Sequence, residues 1–289
     1  MIPARFDYER ARSVDEAIEL LGSREEAKLL AGGHSLLPLM KLRFSRPSLL
    51  VDIGRVDELR GVSDAGDRLA IGAGTPHHDL NNHPLVQEHC PILSWTAGLI
   101  GDPQVRHRGT IGGSIAHGDP ASDLPAVLVA LDADLVIRGL GGERTMPAVD
   151  FCSGVFDVAL GPQDVLTEIR VSKLGPEIGW SYLKLARRAQ DWAMVAVAAL
   201  VTRSNGTIGE ARIALTNMGP VPMRAPAAEQ RLAGAPHDAG SDTEYALSEA
   251  AAVADQGTDP PGDVTSSPEF RRELARVVTK RALEEALSR

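Results

Sequence analysis

The chain has 289 residues but only two cysteines, Cys90 and Cys152, and they are too far apart to form a Cys-x-x-Cys unit, so it cannot hold an iron–sulfur cluster by itself. It also lacks any cluster of lysine and arginine, and its net charge is -9. The basic stripe that nucleic-acid phosphates require is missing, and no nucleic-acid partner is expected. No segment approaches the ~20 apolar residues that span a bilayer. The opening Met1-Ile-Pro-Ala-Arg-Phe-Asp7 has no apolar signal-peptide core, so the cytoplasm is the expected compartment. Absent too are a Gly-x-Gly-x-x-Gly behind a suitable strand, a Gly-x-x-x-x-Gly-Lys-Ser/Thr loop, and a Gly-x-Ser-x-Gly elbow around Ser153. A Rossmann domain, a P-loop and a serine hydrolase are thereby disfavoured. No internal repeat is evident, and the adjacent His77-His78, read as extended chain, would point to opposite faces and serve a surface rather than a metal.

What is present is a chain of 30.7 kDa with 43% hydrophobic residues, enough for a sizeable core and two domains. Ser13-Val-Asp-Glu16 is a capping box before an amphipathic helix that Gly22 ends. Short strands are expected at 27–31, 49–53, 69–74, 134–138 and 165–171, with helices at 36–43, 91–100 and 124–131, the last capped by Asp123. Beyond Gly175-Pro176 three strands follow at 180–186, 194–201 and 211–216, with Ser204-Asn-Gly206 as a turn between the later two. Helices at 225–232, 243–254 and 269–288 close the chain. The last should present Phe270, Leu274, Val277 and Val278 on one face, and the acidic linker 255–266 reads as a solvated loop. This is an α+β pattern.

Two glycine turns stand out. The strand at 27–31 runs into Gly32-Gly-His-Ser35 and then a helix, and the stretch Arg106 to Asp123 crowds glycines, hydroxyls, two arginines and two carboxylates around Gly109-Thr-Ile-Gly-Gly113. Without a Cβ, backbone amides can approach an anion closely, so the amides of Gly112, Gly113 and Ser114 read as a nest with Thr110 as a further donor. A tight structural turn is the alternative for a Gly-Gly pair alone.

The pair Ala31-Gly-Gly-His-Ser35 and Gly109-Thr-Ile-Gly-Gly113 resembles the flavin-binding motifs of the FAD-binding medium subunits of molybdenum hydroxylases, the xanthine dehydrogenase family. Within it the likeness is nearest to the medium subunit of aerobic carbon monoxide dehydrogenase. Further landmarks are Leu50-Val-Asp-Ile53, Ile71-Gly-Ala-Gly-Thr75, Gly101-Asp-Pro-Gln-Val-Arg106, Asp119-Pro-Ala-Ser-Asp-Leu-Pro125, Tyr182-Leu-Lys184 and Leu215-Thr-Asn217. The likeness runs from Ile2 to the last helix. It implies a two-subdomain PCMH-type FAD-binding fold over 1–175, with subdomains of about 1–55 and 56–175, then a small C-terminal domain over 176–289 with a three-stranded antiparallel sheet and helices.

The same resemblance implies that Gly32, Gly33, His34 and Ser35, with Thr110, Gly112 and Gly113, hold the FAD pyrophosphate, and that Ala31, Leu36, Ile111 and Ser114 complete the two loops. Asp123 would meet the ribose or AMP portion, Lys184 would lie by the isoalloxazine, and Trp192 would pack on the flavin ring. Core filling is the alternative for Trp192. Ser114 and His107 stand where the family commonly has Asn. No residue of this chain is expected to act on the substrate. The implied role is electron transfer, from [2Fe–2S] clusters of a small subunit through FAD to an external acceptor. The molybdenum cofactor belongs to a large subunit, and the whole would be a dimer of heterotrimers, with peripheral contact with a quinone-reducing membrane as its membrane role. A related xanthine, aldehyde or N-heterocycle dehydrogenase, a stand-alone flavin oxidoreductase, and a flavin-free assembly subunit are the competing readings.

Overall fold

In the computed structural model, which describes residues 1–238 and 240–289, the N-terminal part is a small parallel sheet. It comprises β1 (Asp7–Arg10), β2 (Ala27–Leu30) and β3 (Leu49–Asp52), with β3 central and flanked by β1 and β2. Parallel neighbours need crossovers, which α1 (Val14–Gly22) and α2 (Leu36–Leu42) help to supply. Ser13 caps α1 by accepting from the Glu16 amide at 3.1 Å, while the Glu16 carboxylate takes the Arg12 amide at 2.7 Å. Val14, Ala17, Ile18 and Leu21 are buried against Leu49 and Val51. The i, i+3, i+4, i+7 spacing is therefore the buried stripe.

The middle part is an antiparallel sheet. Strands β4 (Val62–Asp64) and β5 (Arg68–Gly72) lead into α3 (His77–Asn82), α4 (Pro84–His89), α5 (Pro91–Gly98), α6 (Pro103–Arg106), α7 (Ile111–Ala116) and α8 (Asp123–Ala130). The chain then adds β6 (Asp134–Gly139), β7 (Gly142–Pro147), the hairpin β8 (Cys152–Gly154) and β9 (Asp157–Val158), and β10 (Val165–Ser172). The sheet order is β4-β5-β10-β6-β7. Every residue of α8 is buried, its apolar run 124–130 and the leading Asp123 alike. Two expectations change here. His77-His78 opens a helix rather than lying in extended chain, and Gly112-Gly113 forms the first turn of α7, capped by Thr110, rather than an open turn.

The C-terminal part contains the three expected strands, β11 (Ile178–Leu185), β12 (Val195–Ser204) and β13 (Thr207–Thr216), plus a two-residue β14 (Met223–Arg224), all antiparallel in that order. Asn205 and Gly206 both have positive φ (51° and 81°), which matches a two-residue hairpin turn whose twist suits the flanking strands. Strand β12 is apolar on both sides because both are buried. Val195, Val197, Ala199 and Val201 face α9 (Pro226–Leu232), α10 (Ser241–Ala252) and α11 (Pro268–Ser288), whereas Ala196, Ala198 and Leu200 join the core of the middle part. In α11 the buried residues include Ala275, Val278, Ala282, Leu283 and Ala286, while Phe270 and Val277 are exposed. At Gly179 of β11 a Cβ would overlap the Ala286 carbonyl, so the end of the helix lies directly against that strand. The acidic linker is anchored through Asp255 and Asp263, while its tip at 261–265 is exposed to solvent, as expected. Asp255 takes two hydrogen bonds from Arg276 (2.9 and 2.7 Å), and Asp263 takes one from the buried Arg271 at 2.6 Å.

Candidate cofactor cavity

Both glycine loops line a single cavity of about 540 Å³ where the three parts meet, within the usual size of small-molecule sites. Ala31, Gly32, Gly33, His34, Ser35 and Leu36 reach it from the β2–α2 connection. Thr110, Gly112, Gly113 and Ser114 reach it from α7, Asp123 from α8, Lys184 from β11, and Trp192 from the β11–β12 loop. Ile111 does not reach it. That side chain is wholly buried in the core, and its amide donates to Thr75 O at 3.0 Å. His107 also lies outside the cavity lining, where it stacks on His78 at 3.9 Å between ring centroids.

The two loops differ in what their amides do. The Gly112 amide donates to Ala73 O at 2.8 Å, the Gly113 amide to Thr110 Oγ1 at 3.1 Å, and the Ser114 amide to Thr110 O at 3.0 Å. The expected nest at 112–114 is therefore closed, because the helix and its cap consume the donors. From Gly32 to Leu36, by contrast, five consecutive amides have no acceptor among the described residues, and neither does the Ser35 hydroxyl. Gly33 has φ +78°, a left-handed conformation natural to glycine, which turns the chain at this point. A Cβ on Gly32 would overlap the Arg108 carbonyl, so the first loop rests directly on the backbone of the second. At Gly112 the same test puts a Cβ 2.7 Å from Ala73 O, so that glycine serves packing of α7 on the end of β5. A polyanion such as a pyrophosphate fits the first loop, with the second forming its floor.

Asp123 is not the cap of α8. Ser122 occupies the N-cap position, and the Asp123 side chain turns inward, 6% exposed. Its Oδ1 accepts from the Tyr182 hydroxyl at 2.7 Å and its Oδ2 from Lys184 Nζ at 2.9 Å, with the lysine side chain 8% exposed. Burial pushes the carboxyl up from its ordinary value, opposed by the Lys184 charge and the two hydrogen bonds. The Tyr182 hydroxyl is raised well above its usual range by the same burial and the neighbouring carboxylate. Asp123 and Lys184 thus line the cavity as one ion pair.

Trp192 is 66% exposed at the cavity mouth, which excludes core filling. The base of its loop is pinned. Asn217 Nδ2 donates to Ala193 O at 2.7 Å, Arg271 Nη1 donates to Met194 O, and the Asn217 amide donates to Pro120 O at 2.9 Å. Sequence reasoning named Asn217 and Tyr182 only as landmarks. It missed Phe156 and His117, which also line the cavity, and His77, a buried cavity residue whose Nδ1 has no partner and whose imidazole burial pulls down to about 4. A signal existed for Tyr182, since residues two apart on a strand share a face with each other and thus with Lys184.

Fold and cavity together define an α+β protein with a cavity where its three parts meet, lined on one side by backbone amides free to bind an anion. Residues 4–173 match the FAD binding domain in molybdopterin dehydrogenase, and residues 180–286 match the CO dehydrogenase flavoprotein C-terminal domain. The carbon monoxide dehydrogenase medium chain of Hydrogenophaga pseudoflava is 44% identical over 290 residues, covering 100% of this chain and 99% of that one. The 6-hydroxypseudooxynicotine dehydrogenase complex subunit alpha of Paenarthrobacter nicotinovorans is 38% identical, covering 100% and 97%. A solved carbon monoxide dehydrogenase from Hydrogenophaga pseudoflava, lacking the Mo-pyranopterin moiety of its molybdenum cofactor, superimposes with a TM-score of 0.95 at 45% identity, covering 100% and 99%. The chain belongs to the FAD-binding medium-subunit family of the molybdenum hydroxylases, and it is an oxidoreductase subunit. Among the described residues no helix is long and apolar enough to cross a membrane.

Proposed function

We propose that this chain relays electrons through FAD held in the cavity between its domains, as part of an assembly that oxidises carbon monoxide. The observation that carries the reading is the run of five unpaired amides at 32–36, facing the same cavity as the Lys184–Asp123 pair and Trp192. The amides of Gly32, Gly33, His34, Ser35 and Leu36 and the Ser35 hydroxyl would hold the pyrophosphate beside Ala31. Thr110, Gly112, Gly113 and Ser114 would form the floor, with Ile111 anchoring it from the core. Lys184, kept in place by Asp123 and Tyr182, would set a positive charge near the ring, and Trp192 would cover it. Bound FAD supplies the chemistry of accepting electrons one at a time and holding two. This chain contributes position, field and exclusion of water.

On this reading the FAD-binding domain is 1–175, with subdomains of about 1–55 and 56–175, and 176–289 is the C-terminal domain. A large subunit with the molybdenum cofactor and a small subunit with [2Fe–2S] clusters are the partners, assembled as a dimer of heterotrimers. The unpaired Cys90 and Cys152 suit a reducing cytoplasm. An acceptor such as a membrane quinone would take the electrons by peripheral contact. The full-length likeness to the 6-hydroxypseudooxynicotine enzyme favours a second reading, a dehydrogenase of N-heterocycles or related compounds. The purified assembly under anaerobic conditions separates them. Flavin absorbance should bleach on adding carbon monoxide. Bleaching by an N-heterocycle, a purine or an aldehyde instead selects the second reading, and bleaching by dithionite alone contradicts the relay.

A further inference from the structure

The chain is poor in aromatic side chains, with five phenylalanines, three tyrosines and three tryptophans. Yet two of them, Trp192 and Phe156, line the same cavity with most of their surface in water, 66% and 58% exposed. Phe156 is the second residue of the two-residue loop between β8 and β9, and its φ is +58°. A turn needing positive φ at that place normally has glycine or asparagine, and a bulky residue there is strained. Neighbours hold it in that conformation. The Phe156 amide donates to Gly118 O at 2.8 Å, and its ring lies 5.0 Å from that of His117, another cavity residue. Gly118, at φ +65°, has no room for a side chain, because a Cβ would come 2.9 Å from Val158 Cγ1 and 3.2 Å from Phe156 Cα. The hairpin is thus pressed onto the chain just after α7.

Strain of this kind persists where the surroundings impose it, and it clusters at ligand sites. Packing does not account for it here, since the ring is more in water than in the core. We propose that Phe156 contacts the cofactor, its ring, backed by His117, forming with Trp192 an aromatic wall for a planar ring of the bound dinucleotide. Aromatic rings stack on such systems through offset or edge contacts. The inference rests on the FAD reading above.

The test compares wild-type, Phe156→Gly and Phe156→Tyr chains, each in its purified assembly, by thermal midpoint after FAD removal and by FAD affinity. Glycine relieves the backbone strain and removes the ring. Phe156→Gly should therefore leave the FAD-free midpoint unchanged or raised by up to about 3 °C, while weakening FAD binding about tenfold. Phe156→Tyr should bind as the wild type does. Unchanged affinity in Phe156→Gly, or loss of midpoint together with affinity, overturns the assignment, the latter because it marks a packing residue. If the wild type itself takes up no FAD, the functional reading fails rather than this inference.

Discussion

At Asp123 a carboxylate removed from water is matched by one cation and one hydroxyl, so each partner depends on the others. Lys184→Met should leave an uncompensated buried charge and lose about 3–5 kcal/mol of stability, read by chemical denaturation. A loss below ~1 kcal/mol would mean that the pair is solvated in solution. His77 gives a pH signature. Its folded value of about 4 lies below the ordinary 6.5, so the folded state binds fewer protons between those values. The stability it allows is complete above pH 6.5 and is lost as pH falls toward 4, by roughly 3 kcal/mol in all. His77→Gln should flatten that part of the stability curve, and an unaltered slope would assign it to other groups. Asp123 and Lys184 were legible singly in the sequence, but their union was not, because it depends on how α8 docks beside β11.

At the scale of elements, strand β2, its glycine loop and α2 were legible from an apolar run, Gly-Gly and a helix pattern, and α1 from its capping box. The fate of the amides was not. The sequence marks both glycine loops alike, yet α7 consumes its own donors while 32–36 leaves them free, a difference made by helix phase and by Ala73. Nor does the α11 sequence show which side is buried, since Ala275, Val278, Ala282, Leu283 and Ala286 go inward while Phe270 and Val277 stay exposed. The loop carrying Trp192 is held by a bracket that joins two cavity segments, Asn217, whose φ of +62° asparagine tolerates better than most residues. Asn217→Asp keeps the shape but replaces an N–H donor with a carboxylate facing the Ala193 carbonyl. It should lose about 1–3 kcal/mol by denaturant titration and release FAD several times faster in stopped-flow exchange. An unchanged release rate would disconnect the bracket from the cofactor.

For the whole molecule, the middle and C-terminal parts share a core through α8 and the alanine side of β12, and the cavity lies where both meet the N-terminal sheet. The site thus exists only in the folded whole, with contributions from residues as far apart as Ala31 and Trp192. Paired glycine loops and the landmarks between them revealed the family because glycine is required where backbones touch, as at Gly32 on Arg108. The central claim is that this chain carries FAD. Its most direct measurement is the flavin released by denaturing the purified native assembly, identified by chromatography and counted against copies of this chain. The account predicts one FAD per copy, and its loss when Gly32→Asp places a side chain and a negative charge in the cradle. A correctly folded wild-type assembly that releases no FAD, or a Gly32→Asp assembly that retains it in full, would contradict the account.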